Sequence, residues 1–162
     1  MALRIEDKKA IVAEVAEKVS SALSAAVADY RGLTVNEMTS LRVEARKSGV
    51  YLRVVRNNLA RLAVKGTDLE CLSDALVGPL VLALSMDAPG AAAKLFKSFQ
   101  KDHKSFEVKN LVMAGELFGP EKLDDFAKIP TRDEALAILL NIMQAPVTKL
   151  ARTLKEVSIQ AE

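Results

Sequence analysis

Apolar residues recur at three- and four-residue steps from the start of the chain. Ile11, Val12, Val15, Val19 and Leu23 share one face and predict a helix over residues 6–23. Residues 25–30 form a short apolar run closed by Arg31 and Gly32, which predicts a buried strand. Thr34-Val35-Asn36-Glu37 has the spacing of a capping box, with the Thr34 hydroxyl accepting a backbone amide while Glu37 reaches back. The helix it opens runs over Met38, Leu41 and Ala45 to Gly49, and it sets Arg42 and Arg46 on one face. Residues 50–56 alternate, Val50, Leu52 and Val54 against Tyr51, Arg53 and Val55, and predict a strand. Asn57 or Asn58 then caps a short helix ending at Gly66, and Thr67-Asp68-Leu69-Glu70 offers a second capping box for another, ended by Gly78-Pro79. Residues 80–85 are continuously apolar and read as a central strand. A helix over 87–101 with Pro89 in its first turn, a strand over 106–114 and a helix over 120–128 follow. Alternating strands and helices predict a single α/β domain over residues 1–130, with helices packed on a sheet of about four strands.

The pattern then changes. Ile129-Pro130 breaks the chain, and Thr131-Arg132-Asp133-Glu134 supplies a third capping box. Leu136, Leu140, Met143, Val147, Leu150, Leu154 and Val157 follow in a 4-3 rhythm. The flanking positions (Ala137, Leu139, Gln144, Pro146, Ala151, Thr153 and Ser158) carry no charge. A two-stranded coiled coil would place Glu and Lys there, so a wide uncharged stripe suits a helix gripped by several partner helices. A helix over 132–159 would be about 42 Å long, whereas a globule of roughly 130 residues is only about 35 Å across. Residues 131–162 are therefore expected to be a long, protruding, partner-binding arm, hinged at Pro146, rather than a helix folded back on the core.

Composition narrows the function. Half of the 162 residues are hydrophobic and 27% are charged, enough apolar material for a sizeable core. The charged start argues against a secretory signal. The most apolar run, 76–86, contains Gly78-Pro79 and falls short of the roughly 20 residues that cross a bilayer. One cysteine, Cys71, suits a reducing, cytosolic compartment and reads as a small buried residue. The net charge of +2 hides +5 over residues 1–66 and −3 over 67–129. Residues 31–61 hold six arginines and Lys47 against Glu37 and Glu44. The plain reading is a solvated face, but the excess of arginine, which binds phosphate bidentately and stacks on unpaired bases, points to RNA. Chemistry is missing. The single histidine, His103, lies in a solvated Lys101-Asp102-His103-Lys104 stretch. One His and one Cys make neither a zinc site nor a nucleophile pair. There is no phosphate-cradling glycine loop, and Asp124 and Asp125 point to different faces. An enzyme, a metal site and a cofactor are not expected.

Six pieces in order then match a known family: Asp29-Tyr30-Arg31-Gly32-Leu33-Thr34-Val35, Leu41-Arg42, Val54-Val55-Arg56-Asn57-Asn58-Leu59, Gly78-Pro79, Pro89-Gly90-Ala91-Ala92-Ala93-Lys94, and Ile129 to Leu136 with Ala145-Pro146. Over its full length the chain resembles the family of the bacterial large-ribosomal-subunit stalk-base protein, the tenth protein of that subunit. The resemblance implies an α/β domain on the GTPase-associated region of large-subunit ribosomal RNA, beside a neighbouring ribosomal protein. It implies that the C-terminal helix carries acidic stalk protein dimers, two here because the arm is short, so that translation factors are recruited. In some bacteria the family also represses its own message. RNA contacts are expected at Arg31, Arg42, Arg46, Arg53, Arg56, Asn57 and Asn58, and partner contacts along the 4-3 seam. Asn58 stands where the family more often has Thr. The competing reading is a free RNA-binding translational regulator or ribosome-assembly factor, which needs no exposed apolar arm.

Overall fold

The computed structural model describes residues 5–67, 69–103 and 105–160, and the chain divides into two compact units, Met1–Ile129 and Pro130–Glu162. The first unit runs α1 (Ile5–Ser21), β1 (Ser24–Asp29), α2 (Val35–Lys47), β2 (Val50–Val54), α3 (Asn57–Val64), α4 (Leu72–Ala75), β3 (Leu80–Ser85), α5 (Ala91–Asp102), β4 (Glu107–Met113), β5 (Glu116–Phe118) and α6 (Leu123–Ala127). The second is one helix, α7 (Arg132–Gln160).

The strands form one five-stranded antiparallel sheet in the order β2-β3-β1-β4-β5. Helices cover both faces, which is why β1 and β3 read as unbroken apolar runs instead of alternating. Val81 and Ala83 pack with Leu41, Phe96, Phe99 and Phe106 on the side of α2, α5 and α6. Leu80, Leu82 and Leu84 pack with Val15, Ala60, Val64 and Leu72 on the side of α1, α3 and α4. Small residues in β1, Ala25, Ala26 and Ala28, let both helix layers approach the central strand. Phe96 and Phe99 each meet Phe106 edge-on, at 5.1 and 5.3 Å between centroids, the geometry that aromatic pairs prefer.

The structure departs from the sequence expectations at several points. A fifth strand, β5, exists, and three residues are too few to show a period. Residues 120–128 divide into a 3₁₀ turn, Pro120–Lys122, followed by α6. The Thr67 capping box does not form: the Thr67 hydroxyl donates to the Val64 carbonyl at 2.6 Å, and α4 starts only at Leu72. Cys71 is exposed, its Sγ 2.8 Å from the Gly115 carbonyl. His103 is half-buried, its ring tilted on Phe99 and its Nδ1 3.1 Å from Glu37 Oε1. The Thr34 box is present in full, and Gly49 takes the positive φ of +66° expected after a helix C-terminus.

Helix α5 begins at Ala91, later than predicted, because its cap comes from elsewhere. Gly90 has no side chain, and the buried Ser85 hydroxyl at the end of β3 accepts the Ala92 amide at 3.1 Å. Replacing Ser85 by Ala should leave that amide unsatisfied in a buried site and cost about 1–2 kcal/mol. Urea denaturation would show a lower midpoint at an unchanged slope.

Candidate nucleic-acid interface and C-terminal helix

Strands β1 and β2 run in the same direction, with β3 antiparallel between them. Asp29 pairs with Leu80 and with Glu107, and Val54 pairs with Val81. The carboxyl ends of β1 and β2 therefore lie beside the starts of β3 and β4, at one end of the sheet. Arg31 and the Arg56-Asn57-Asn58 segment leave the sheet there.

Arg56 is the N-cap of α3, in extended conformation, and no side chain caps this helix. Its first amides thus point outward with the positive end of the helix dipole, an arrangement that suits a phosphate. Neither asparagine caps the helix, contrary to the sequence expectation. Asn57 Nδ2 instead donates to the Gly78 carbonyl at 2.9 Å, tying the start of α3 to the turn before β3. Arg56 and Asn58 are exposed, and with Lys8 of α1 they line a cleft of about 410 Å³.

Lys109 joins the same end of the sheet. The register of β4 against β1 skips it: Val27 faces Asn110 and Ala28 faces Val108. Such a bulge re-aims a side chain. Here Lys109 Nζ lies 3.3 Å from the Val77 carbonyl and 3.5 Å from Asp29 Oδ2. Arg31 is exposed, but its depression is shared with Asp29 and Glu107, so the local field is mixed. Its backbone amide donates to Asp29 Oδ1 at 3.0 Å, and Gly32 follows at φ +84°.

The other predicted contacts lie elsewhere. Arg42 and Arg46, one turn apart on α2, line a groove of about 320 Å³ along the free edge of β2 with Val50 and Leu52. Arg53 is on the opposite face of β2, where its guanidinium is ion-paired to Glu14 of α1 and donates to Tyr51 Oη at 3.0 Å. The hydrogen bond from Arg53, then that from Tyr51, holds the Glu14 carboxyl below its ordinary pKa, and the Arg53 pKa is raised by the same pair. Of the seven predicted residues the structure brings together Arg56, Asn57 and Asn58, sets Arg31 at the same sheet end and Arg42 and Arg46 along the adjoining edge, and occupies Arg53 internally. Lys8 and Lys109 were missed. The Lys8-Lys9 pair was visible in the sequence but unplaced, and the bulge at Lys109 left no local signal.

The C-terminal unit is simpler. Glu134 N donates to Thr131 Oγ1 at 3.4 Å and Thr131 N to Glu134 Oε2 at 2.9 Å, so the third capping box forms. Helix α7 then continues for 29 residues, passing Pro146 without interruption. The seven seam residues are between 52% (Leu136) and 73% (Val147) exposed. Ile138, Leu139 and Ile142 are exposed as well, so the first half of the helix is apolar beyond the seam. The second half is not: Lys149, Arg152 and Lys155 lie off the seam there.

Among the described residues there is no cluster of three or more His, Cys, Asp or Glu that could hold a metal, and no helix long and apolar enough to cross a membrane. The sequence matches the family "Ribosomal protein L10" over residues 4–101 and "Ribosomal protein uL10 C-terminal region" over residues 129–162. It is 85% identical to the large ribosomal subunit protein uL10 of Francisella philomiragia subsp. philomiragia over 161 residues, 99% of this chain and 94% of that protein. The corresponding proteins of Francisella tularensis subsp. mediasiatica and subsp. novicida are 84% identical with the same coverage. Both parts match in order, the α/β unit first and the helix after it, and the chain therefore belongs to the ribosomal protein L10 (uL10) family of the large ribosomal subunit.

Proposed function

We propose that the protein is the adaptor at the base of the ribosomal stalk. As a member of its family it is a structural constituent of the large subunit, not an enzyme, and is ribosome-bound in the cytoplasm. In the adaptor reading the α/β unit docks on large-subunit ribosomal RNA at the GTPase-associated region, beside a neighbouring ribosomal protein. Helix α7 carries two dimers of acidic stalk proteins, which recruit translation factors. In excess over RNA sites, the same surface takes a leader of its own message.

The observation that carries this reading is the seam of α7. Seven apolar side chains, each more than half exposed, lie along one helix without charged neighbours in the flanking positions. Covering one such side chain contributes about 1.5–3 kcal/mol, and helical partners with apolar grooves supply the cover. A free RNA-binding regulator has no use for such a seam.

The RNA half is tested by salt titration. Arg56→Ala should weaken binding of a large-subunit RNA fragment and flatten the log–log salt dependence by about one unit, the signature of one lost phosphate contact. Arg53→Ala should change the slope less, because Glu14 already holds that guanidinium. An unchanged slope in Arg56→Ala would remove Arg56 from the interface.

A further inference from the structure

The loop from β1 into α2 is pinned at both ends. Leu33 N donates to the Tyr30 carbonyl at 3.3 Å, Gly32 makes the turn at positive φ, and the Thr34 box fixes the helix entry. An added Cβ at Gly32 would stand 3.1 Å from Ser105 Cβ, so the loop is also pressed against the chain before β4. The fixed loop leaves an open groove of about 360 Å³ between α2 and the end of β2, lined by Tyr30, Leu33, Val35, Met38, Arg42 and Val54. Its walls stay in solvent: Val35 is 83% and Val54 40% exposed. Among the described residues, the Arg42 guanidinium is the one ionic group lining it. The nearby acid of α2, Glu37, is not among the lining residues, its Oε2 taking the Thr34 amide and its Oε1 facing His103. The Thr34 backbone hydrogen bond, first of several causes, holds its carboxyl below the ordinary carboxylate pKa.

We propose that this groove receives one unpaired nucleobase of the bound RNA, stacked on the Tyr30 ring against Met38 and Val54, with Arg42 over the base or on its phosphate. The inference rests on the RNA reading above and extends it to a base-stacking site. An aromatic ring, a guanidinium and aliphatic walls are the surface on which splayed-out RNA bases stack. The charge agrees: Arg42 and then Arg46 continue along the edge of β2, and Arg56 lies two residues beyond Val54, about 7 Å along the strand direction. The backbone that leads into the groove would thus pass cations on both sides. The size agrees too. The groove takes a small planar group, within the roughly 300–1,000 Å³ of small-ligand sites, whereas a stable protein interface recruits about 20–30 residues a side.

The experiment uses the full chain and a transcribed fragment of large-subunit RNA from the GTPase-associated region. Val35 is exposed and occupies the first position of α2, where a glutamate suits the helix dipole. Val35→Glu should therefore keep the thermal unfolding midpoint and still lower RNA affinity about tenfold or more. Tyr30→Ala should lower affinity by about ten- to a hundred-fold at every salt concentration, the range of one lost stack, with the log–log slope unchanged. Tyr30→Phe should bind like the parent. Wild-type affinity in Val35→Glu and Tyr30→Ala, with the Arg56→Ala loss intact, would overturn the base site and leave the RNA reading standing. If the parent chain does not bind RNA, both fall. If Val35→Glu binds RNA normally but releases a neighbouring ribosomal protein, the groove is a protein contact and the proposal is overturned.

Discussion

Truncation after Pro130 is expected to leave a domain that folds cooperatively and binds RNA with the salt dependence of the full chain, but binds no acidic stalk dimer. The unit Met1–Ile129 contains the whole five-stranded sheet and both apolar clusters. Its last core residues, Phe126 and Ile129, close over Gly90, where an added Cβ would stand 2.8 Å from the Phe126 carbonyl. The cut preserves that contact. Among the described residues, both clusters are drawn from this unit alone. A single urea transition, together with native mass spectra free of partner, would meet the expectation. A molten truncated chain would mean that the helix belongs to the core.

Leu140→Asp and Leu150→Asp are expected to split the stalk complex in half. From Leu136 to Val157 the seam spans 22 residues, about 33 Å at 1.5 Å per residue. A dimeric helical module covers on the order of 10 residues, given helix spacings of 8–10 Å. Two such modules fit between Leu136 and Val157. The divide falls near Pro146, where the missing amide leaves the Ile142 carbonyl without its helical donor. Each substitution removes about 1.5–3 kcal/mol of apolar burial and puts a carboxylate where it would be desolvated. Both side chains are well exposed, so the helix itself should tolerate the change. A parent stoichiometry of one-to-four should fall to one-to-two in either mutant, and one-to-six in the parent would mean that the seam had been miscounted. The halves should also differ in salt. The first half is apolar on more than one face through Ile138, Leu139 and Ile142, while the second has one stripe, with Lys149, Arg152 and Lys155 on the rest of the helix surface. An acidic partner on the second half gains from that charge and should leave first as salt rises.

Much of the architecture was legible because its signals are local. A capping box satisfies its own helix end, so Thr34 with Glu37 and Thr131 with Glu134 announce two helix starts within four residues each. The apolar rhythm of α7 is a property of one helix, and its lack of flanking charge is read directly from the letters. Strands β1 to β4 were legible as apolar or alternating runs, whereas their antiparallel pairing and order were not. Those depend on which loops cross which faces, and no residue carries that information alone. The same holds inside the candidate interface. That Glu14 pairs with Arg53 was invisible before the fold placed them together, and Asn57 looked like a cap until Gly78 came within its reach. Lys109 acquired its place only through a bulge that exists relative to β1. Sequence determined most of the helices and strands and the apolar seam of the last helix, because propensity, capping and periodicity act between neighbours along the chain. Tertiary structure decided which cations remain available to an anion, because a charge is neutralised by whatever the fold brings within about 4 Å, however distant in sequence.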